Sequence, residues 1–172
     1  MNDTKYLTME DNQQKFLQIV KHPVKFRMFL FSKLPSAYFA GVRVKSFDEH
    51  TAQVTVPYKW FSTNPFKSTY FACLAMAAEM STGVLCMANI YKRNPTVSML
   101  VVKTEASFYK KATGKILFTC LNGTAITALV EDAIATGEGK TIACQSTGRN
   151  EAGEIVAEIY CTWSFKAKVA KP

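Results

Sequence analysis

The chain has 172 residues, of which 48% are hydrophobic and 20% charged. This length suits one domain with a substantial core, and the hydrophobic share excludes a disordered chain. The net charge of +8 and the pI near 9.3 favour anionic partners, yet the sequence has no dense basic block and no known nucleic-acid-binding signature, which argues against nucleic acid.

The first forty residues predict a helical extension. Apolar residues within 11–34 recur at helical spacing in two runs, and Pro23 should break or kink the helix between them. The segment is expected to end at Pro35. The opening stretch MNDTKYLTMEDNQQK is polar and lacks the apolar run of a signal peptide, so a cytoplasmic location is expected.

Residues 41–57 predict the first β-hairpin. Valines alternate with polar neighbours on both sides of a turn at residues 48–50, and Pro57 closes the second strand.

A long helix follows, with the sequence FACLAMAAEMSTGVLCMANI and with Ser68 or Thr69 as its N-terminal cap. It is apolar on nearly every face, so other elements must surround it. A membrane span is disfavoured because Glu79 stands at its centre, where a carboxylate is costly in hydrocarbon.

The remaining chain predicts mainly strands. Two β-rich runs cover residues 97–109 and 116–121, a short helix covers about 126–135 and ends at Gly137, and a last hairpin pairs 141–149 with 155–165. One buried helix among antiparallel strands indicates the α+β class, with a curved sheet wrapped around that helix. The interpretation is one domain over residues 1–172, comprising an extension at 1–40 and a core at 41–166.

Three stretches carry a resemblance to a known family. They are NPFKSTYFACLAMAAE, EASFYKKATGK and RNEAGEIVAEIYCTW, which begin at residues 64, 105 and 149. In this order they resemble the hotdog-fold thioesterase superfamily, especially its phenylacetyl-CoA-thioesterase-like branch and relatives similar to the YiiD C-terminal domain. The resemblance implies a hotdog fold, an acyl-CoA or related thioester as substrate, and a homodimer joined sheet edge to sheet edge, with a homotetramer as a further step.

The resemblance also has a departure. The family carries His-Gly-Gly at the start of the central helix, and this chain has Tyr70, Phe71 and Ala72 there. In the family the glycines let a backbone amide approach the thioester carbonyl. Bulkier residues here would hinder that contact, so catalysis would be altered or absent.

Glu79 is the main catalytic candidate. It is the sole acidic residue between Glu49 and Glu105, and it lies within an apolar helix. A carboxylate in such surroundings must find a partner, take up a proton or face a cleft, and its pKa should rise. Carboxylates of this kind recur as general bases or nucleophiles, although one that pairs across a subunit interface fits the pattern too.

Further site residues are predicted around Glu79 and the helix start. Asn64 would orient a carbonyl or water, or is an ordinary turn residue, and Tyr70 would contact the acyl group or simply pack. The amides of Phe71 and Ala72 would form an oxyanion hole.

Two residue pairs complete the prediction. Ser81 and Thr82 would hydrogen-bond Glu79 or water, or else bond back to the preceding helical turn. Lys110 and Lys111 would bind a phosphate, or are solvated charges.

Other chemistries find little support in the sequence. The five cysteines are scattered in apolar contexts, as expected of reduced core thiols, and no metal-ligand spacing is present. His22 and His50 lie far from the motif, which excludes a Ser-His-Asp triad. No cofactor is expected beyond coenzyme A as part of the substrate.

The leading hypothesis is therefore a thioester hydrolase that uses Glu79. The alternative is a non-catalytic protein that binds acyl chains or other apolar ligands, and a hotdog dehydratase is the weaker third class because its customary His is missing. Under either main hypothesis, the Phe-rich extension is interpreted as a packing brace, with a lid over an acyl tunnel as the alternative.

Overall fold

Three helices open the chain in the computed structural model, which describes residues 9–168. They are α1 (Met9–Lys21), α2 (Pro23–Lys33) and α3 (Pro35–Ala40). The break at Pro23 is confirmed. The predicted end before Pro35 is confirmed for α2, but the sequence did not indicate the short helix that follows: proline suits the first position of a helix, where its missing N–H is not needed, and Pro35 starts α3. The polar stretch 1–8, part of the basis for the cytoplasmic expectation, lies outside the described residues.

The strands form one six-stranded antiparallel sheet. They are β1 (Arg43–Phe47), β2 (Ala52–Val56), β3 (Val97–Phe108), β4 (Ile116–Cys120), β5 (Lys140–Arg149) and β6 (Ile155–Ala167). Their order across the sheet is β1-β2-β4-β5-β6-β3, so β1 and β3 are the edges. Both predicted hairpins and both predicted middle strands are confirmed.

A 20-residue helix, α4 (Phe71–Ile90), packs against this sheet. Buried residues occur on all its sides, as its apolar sequence predicts, and two thirds of its most apolar window is buried within the protein. It is therefore a core helix and not a membrane span.

The predicted cap of α4 is wrong. Tyr70 occupies the N-cap position and makes no side-chain capping hydrogen bond. The Ser68 hydroxyl instead donates to Asn64 Oδ1 at 3.2 Å, and Thr69 forms an isolated β-bridge with Thr63. A short 3₁₀ helix, Trp60–Ser62, which the sequence pattern did not indicate, precedes this loop.

The remaining helix, α5 (Gly123–Thr136), packs against α4 and β5 and ends at Gly137, as predicted. The core between helices and sheet holds large apolar side chains such as Phe118, Phe165 and Leu85. All five cysteines are buried and unpaired by disulfides, which agrees with the expected reduced thiols. The α+β class is thus confirmed.

Candidate functional site

Glu79 lies half-buried in the middle of α4, where it faces the junction between α2 and α3. A cleft of about 200 Å³ lies between Glu79 and this junction. We call it the Glu79 cleft; it is lined by Lys33, Leu34, Pro35, Ser36, Ala37, Met76, Glu79 and Met80. The carboxylate thus borders a mostly apolar cavity. Facing a cleft was one of the three options that the sequence analysis left open for Glu79.

The Glu79 carboxylate has no protein partner within the described part of the chain. No side chain among residues 11–168 donates a hydrogen bond to it or forms an ion pair with it, Lys33 included. Burial raises its pKa because the charged form loses hydration. A carboxylate with a raised pKa beside a cleft is a candidate functional group.

Gly83, one turn further along α4, makes room for this carboxylate. A Cβ at position 83 would lie 3.3 Å from Glu79 Oε1 and 3.3 Å from the ring of Trp163. The glycine therefore permits the carboxylate and the indole to pack on either side of the helix surface.

A second cavity lies at the start of α4. This helix-start pocket, of about 560 Å³, lies between the loop before α4 and the chain that leaves β3. It is lined by Asn64, Pro65, Phe66, Ser68, Thr69, Tyr70, Phe71, Leu74, Phe108, Tyr109, Lys110, Lys111 and Ala112. Five predicted site residues meet here, namely Asn64, Tyr70, Phe71, Lys110 and Lys111.

The amide group of Asn64 is occupied by its own loop. Oδ1 accepts from the backbone N–H of Phe66 at 3.0 Å and from Ser68, and Nδ2 donates to the Thr69 carbonyl at 3.5 Å. Asn64 therefore shapes the pocket wall as a turn residue, and a ligand would have to compete for its hydrogen bonds.

The first amides of α4 are available as donors. The N–H groups of Phe71 and Ala72 precede the first bonds of the helix, which run from Cys73 and Leu74 to the Tyr70 carbonyl. Helix geometry gives them no acceptor, and they lie at the positive end of the helix dipole. The exposed ring of Tyr70 packs edge-on against that of Phe71, with a centroid distance of 4.9 Å, beside these donors.

The two lysines at the pocket differ in their contacts. Lys110 pairs with Glu154, and this contact lowers the pKa of the Glu154 carboxyl. Lys111 is exposed and forms no ion pair with any side chain in 11–168. Of the two, Lys111 is thus the freer to bind an anion.

Ser81 and Thr82 line neither cavity. The Ser81 hydroxyl donates to the Ala78 carbonyl and lies 2.7 Å from the Ser146 hydroxyl. The Thr82 hydroxyl donates to the Glu79 carbonyl at 2.9 Å and accepts from Trp163 Nε1. Both side chains are buried, and their contacts tie α4 to itself and to the sheet, which is the second of the two roles considered from the sequence.

Thr69 is a pocket residue that sequence reasoning treated only as a helix cap. Its side chain is buried, and its hydroxyl has no hydrogen-bond partner among residues 11–168. An unsatisfied buried hydroxyl is costly, which singles Thr69 out as a group that a ligand could satisfy. Its only signal in the sequence was its position just before the helix.

The Glu79 cleft and the helix-start pocket are separate within one chain. Eight residues of α4 separate Phe71 from Glu79, which corresponds to about 12 Å along the helix axis. The structure therefore places Glu79 apart from the five predicted site residues that line the helix-start pocket.

Comparison with known proteins gives one family match. The model of the domain of unknown function DUF4442 matches residues 24–165. No curated protein matches the chain.

Solved structures match over most of the chain. A protein of unknown function from Pseudomonas aeruginosa, PA5026, described as a probable thioesterase, is 20% identical, covers 85% of this chain and 97% of its own, and superimposes with a TM-score of 0.71. OLEI01261 from Chlorobaculum tepidum, of unknown function, is 16% identical with a TM-score of 0.72 over 94% of this chain and 98% of its own. The thioesterase HI1161 from Haemophilus influenzae is 13% identical with a TM-score of 0.62 over 96% of this chain and 95% of its own.

These likenesses establish the architecture. The sheet around a long central helix is the hotdog fold, as the sequence resemblance implied. Identities of 10–20% carry the fold alone, so the chemistry must be argued from the residues of this chain.

Proposed function

The chain belongs to the DUF4442 family, a domain of unknown function, and on that premise we propose that it hydrolyses acyl thioesters, with acyl-CoA as the substrate class. The observation that carries the proposal is Glu79, a half-buried carboxylate that borders a cleft and has no partner among residues 11–168. The description of similarly folded proteins as thioesterases supports it. We place the reaction in the cytoplasm, and it needs no cofactor beyond the coenzyme A of the substrate.

In the proposed reaction Glu79 acts as a general base. Its carboxylate takes a proton from water while the water oxygen attacks the thioester carbonyl carbon. The C–S bond then breaks, the proton passes to the leaving sulfur, and the products are a carboxylic acid and a free thiol. Direct attack by the carboxylate, followed by hydrolysis of the resulting anhydride, gives the same products.

The oxyanion would be stabilised at the start of α4. The amides of Phe71 and Ala72 are preorganised donors at the positive end of a helix, and the unpaired Thr69 hydroxyl is buried beside the same pocket. In one chain about 12 Å of helix separates Phe71 from Glu79, and the two residues border different cavities.

This separation favours a site shared between two subunits. We propose that Glu79 of one protomer works with the helix start of another in a homodimer, with sheets joined at their β3 edges. β3 is a 12-residue edge strand with exposed apolar side chains, which is the kind of edge that pairs with a second copy. Pairing of two dimers would give a tetramer.

The helix-start pocket would hold the rest of the substrate. Its aromatic and aliphatic lining suits an acyl or pantetheine chain, and Lys111 is free to bind a phosphate of coenzyme A. Lys110 would first have to leave Glu154.

One observation favours a second candidate, a non-catalytic binder of acyl chains or other apolar ligands. The exposed rings of Tyr70 and Phe71 stand beside the helix amides, where the family that the sequence resembles has His-Gly-Gly. A protein that only holds its ligand needs the pocket but not those amides.

The test is thiol release from a panel of acyl-CoA esters by the purified chain and its Glu79→Gln variant. Glutamine keeps the size of the side chain but cannot accept a proton from water. We therefore expect kcat/KM to fall at least about a hundredfold, the usual contribution of a general base. The matched control is Glu151→Gln, which removes an exposed carboxylate in the turn between β5 and β6 and should leave kcat/KM unchanged.

Folding of both variants is checked by circular dichroism and thermal unfolding. Equal activity of Glu79→Gln and the unmodified protein would refute the role of Glu79. No turnover of any ester by the unmodified protein, together with saturable binding of acyl-CoA, would instead support the binder.

A further inference from the structure

The outer face of the N-terminal helices is apolar and exposed. Met28 is 67% exposed and Phe31 57% exposed on α2, and Trp60 of the 3₁₀ helix is 81% exposed. The inner side of α2 is apolar too, since Phe26 and Leu30 are buried in the core. α2 therefore carries more apolar surface than the fold itself uses.

These side chains form one continuous surface, which we call the aromatic face: Met28, Phe31, Phe39, Trp60 and Phe61. The ring centroid of Phe31 lies 6.2 Å from that of Phe39, and Phe39 lies 5.5 Å from Phe61. Trp60 continues the series at 4.7 Å from Phe61. Exposed apolar surface gathered in one place marks an interaction site, whereas isolated exposed residues do not.

The charged residues in the segment that carries most of the aromatic face are all basic. Residues 12–47 contain seven lysines and arginines and no acidic residue. Lys25 and Lys33 are exposed on α2, and the Arg27 guanidinium lies 4.9 Å from the centre of the Tyr38 ring. Aromatic and aliphatic side chains flanked by basic ones are the composition that binds the surface of anionic membranes.

We infer that the aromatic face docks the protein onto an anionic lipid bilayer, with its rings among the headgroups and its lysines against lipid phosphates. A second copy of the chain is the poorer occupant. A twofold contact through this face would bring Lys25, Arg27 and Lys33 towards the same residues of the partner, whereas a bilayer offers opposite charge.

Docking in this way has a consequence for the Glu79 cleft. Lys33 and Leu34 border both the aromatic face and the cleft, so the cleft would open close to the membrane surface. The inference itself depends only on the surface and is independent of the proposed hydrolysis.

The experiment is flotation of the full chain with vesicles. One set contains phosphatidylcholine mixed with phosphatidylglycerol, and the other contains phosphatidylcholine alone. We expect the protein to float with the anionic set only, and to be released by about 1 M salt, where the screening length falls to about 3 Å.

Two variants test the two components of the face. Lys25→Gln combined with Lys33→Gln should weaken binding about thirtyfold, because each lysine near an anionic surface contributes about a fivefold gain in affinity. Met28→Ser combined with Phe31→Ser should weaken it at least about tenfold by removing buried apolar surface. All four positions are exposed, so the fold should tolerate both variants.

Matched controls remove the same kinds of group elsewhere. Lys115→Gln with Lys166→Gln deletes two exposed charges outside the face, and Leu121→Ser deletes an exposed apolar side chain after β4. Both should bind like the unmodified protein. The inference is overturned if the unmodified chain does not float with anionic vesicles, or if the variants of the aromatic face bind these vesicles as well as the controls do. It is also overturned if the Met28 and Phe31 variant lowers the oligomeric mass in sedimentation while the unmodified protein fails to float, since the occupant is then a second copy.

Discussion

Glu79 costs the folded protein free energy at neutral pH, because burial opposes its ionised form and no partner among residues 11–168 compensates. Its pKa is higher in the folded state than the ordinary value of about 4.3 expected in the unfolded chain. The protonated acid therefore contributes stability at low pH, and that contribution is lost as the pH rises towards the raised folded pKa.

This predicts the pH dependence of a substitution. Glu79→Gln should raise Tm above that of the unmodified protein at about pH 8, and the difference should shrink as the pH falls to about 4, where both side chains are neutral. Thermal unfolding across this range measures it, with the exposed Glu151→Gln as the control that should change Tm little at any pH. A variant less stable than the parent at pH 8 would mean that Glu79 has a stabilising partner, such as one across a subunit interface.

Residue by residue, the sequence was informative where one side chain stood out from its surroundings. Glu79 is a single charge in a long apolar run, so its burial and raised pKa could be anticipated. The unpaired hydroxyl of Thr69 could not be anticipated, because its state depends on which loop groups hydrogen-bond to Asn64 and Ser68. Those contacts arise only once the loop has closed.

At the scale of elements, the junction between the first hairpin and α5 depends on one glycine. Gly123 begins α5 and donates its N–H to the His50 carbonyl. A Cβ there would lie 2.1 Å from the Glu49 carbonyl oxygen and 2.6 Å from His50 Cα. The obstructing atoms belong to the backbone, so they cannot yield by a simple side-chain rotation.

Gly123→Ala should therefore lower the free energy of unfolding by about 2–4 kcal/mol through steric displacement of the turn. Urea unfolding measures the loss. The control is Gly139→Ala, where the nearest atom to an added Cβ is the Phe165 carbonyl oxygen at 4.0 Å, and a change within about 0.5 kcal/mol is expected. Similar losses in the two variants would contradict the packing described for Gly123.

The elements found from the sequence were those with a clear period or composition. Alternation predicted the hairpin strands and β-rich composition predicted the two middle strands; in β2, β4 and β6 the buried residues indeed alternate with less buried ones. α3 was missed because six residues are too few to show a helical period. In addition, a proline such as Pro35 is compatible both with the end of one helix and with the start of the next. The start of α4 was misplaced because Ser68 and Thr69 are both favourable caps in sequence, but the loop uses them otherwise.

At the scale of the whole molecule, the Glu79 cleft and the helix-start pocket raise the question of how one substrate uses both. No reasoning along the sequence could have separated them, since both lie on one helix and the division appears only when α2, α3 and β3 are in place. The proposed dimer brings the two kinds of cavity together from different protomers. The hypothesis therefore links assembly to activity.

The link is testable at the β3 edge. Leu100 is 66% exposed on this strand, and Leu100→Lys should place two lysines near each other across the proposed seam, a device that discourages edge pairing. We expect the dimer Kd to rise at least about tenfold, since like charges at an interface cost more than 1.4 kcal/mol. Sedimentation velocity measures the mass, and thiol release at the same concentrations measures turnover.

The control is Leu121→Lys, an equally exposed leucine after β4 that lies away from the β3 edge. It should leave both mass and turnover unchanged.

If Leu100→Lys abolishes the dimer and turnover per chain persists, the site is complete within one protomer, and the role assigned to the helix start of the partner is wrong. If mass and turnover fall together as the protein is diluted, and more steeply in Leu100→Lys than in Leu121→Lys, the catalytic groups come from two chains. The separation of about 12 Å along α4 then acquires a function, because it sets the distance that the dimer must bridge.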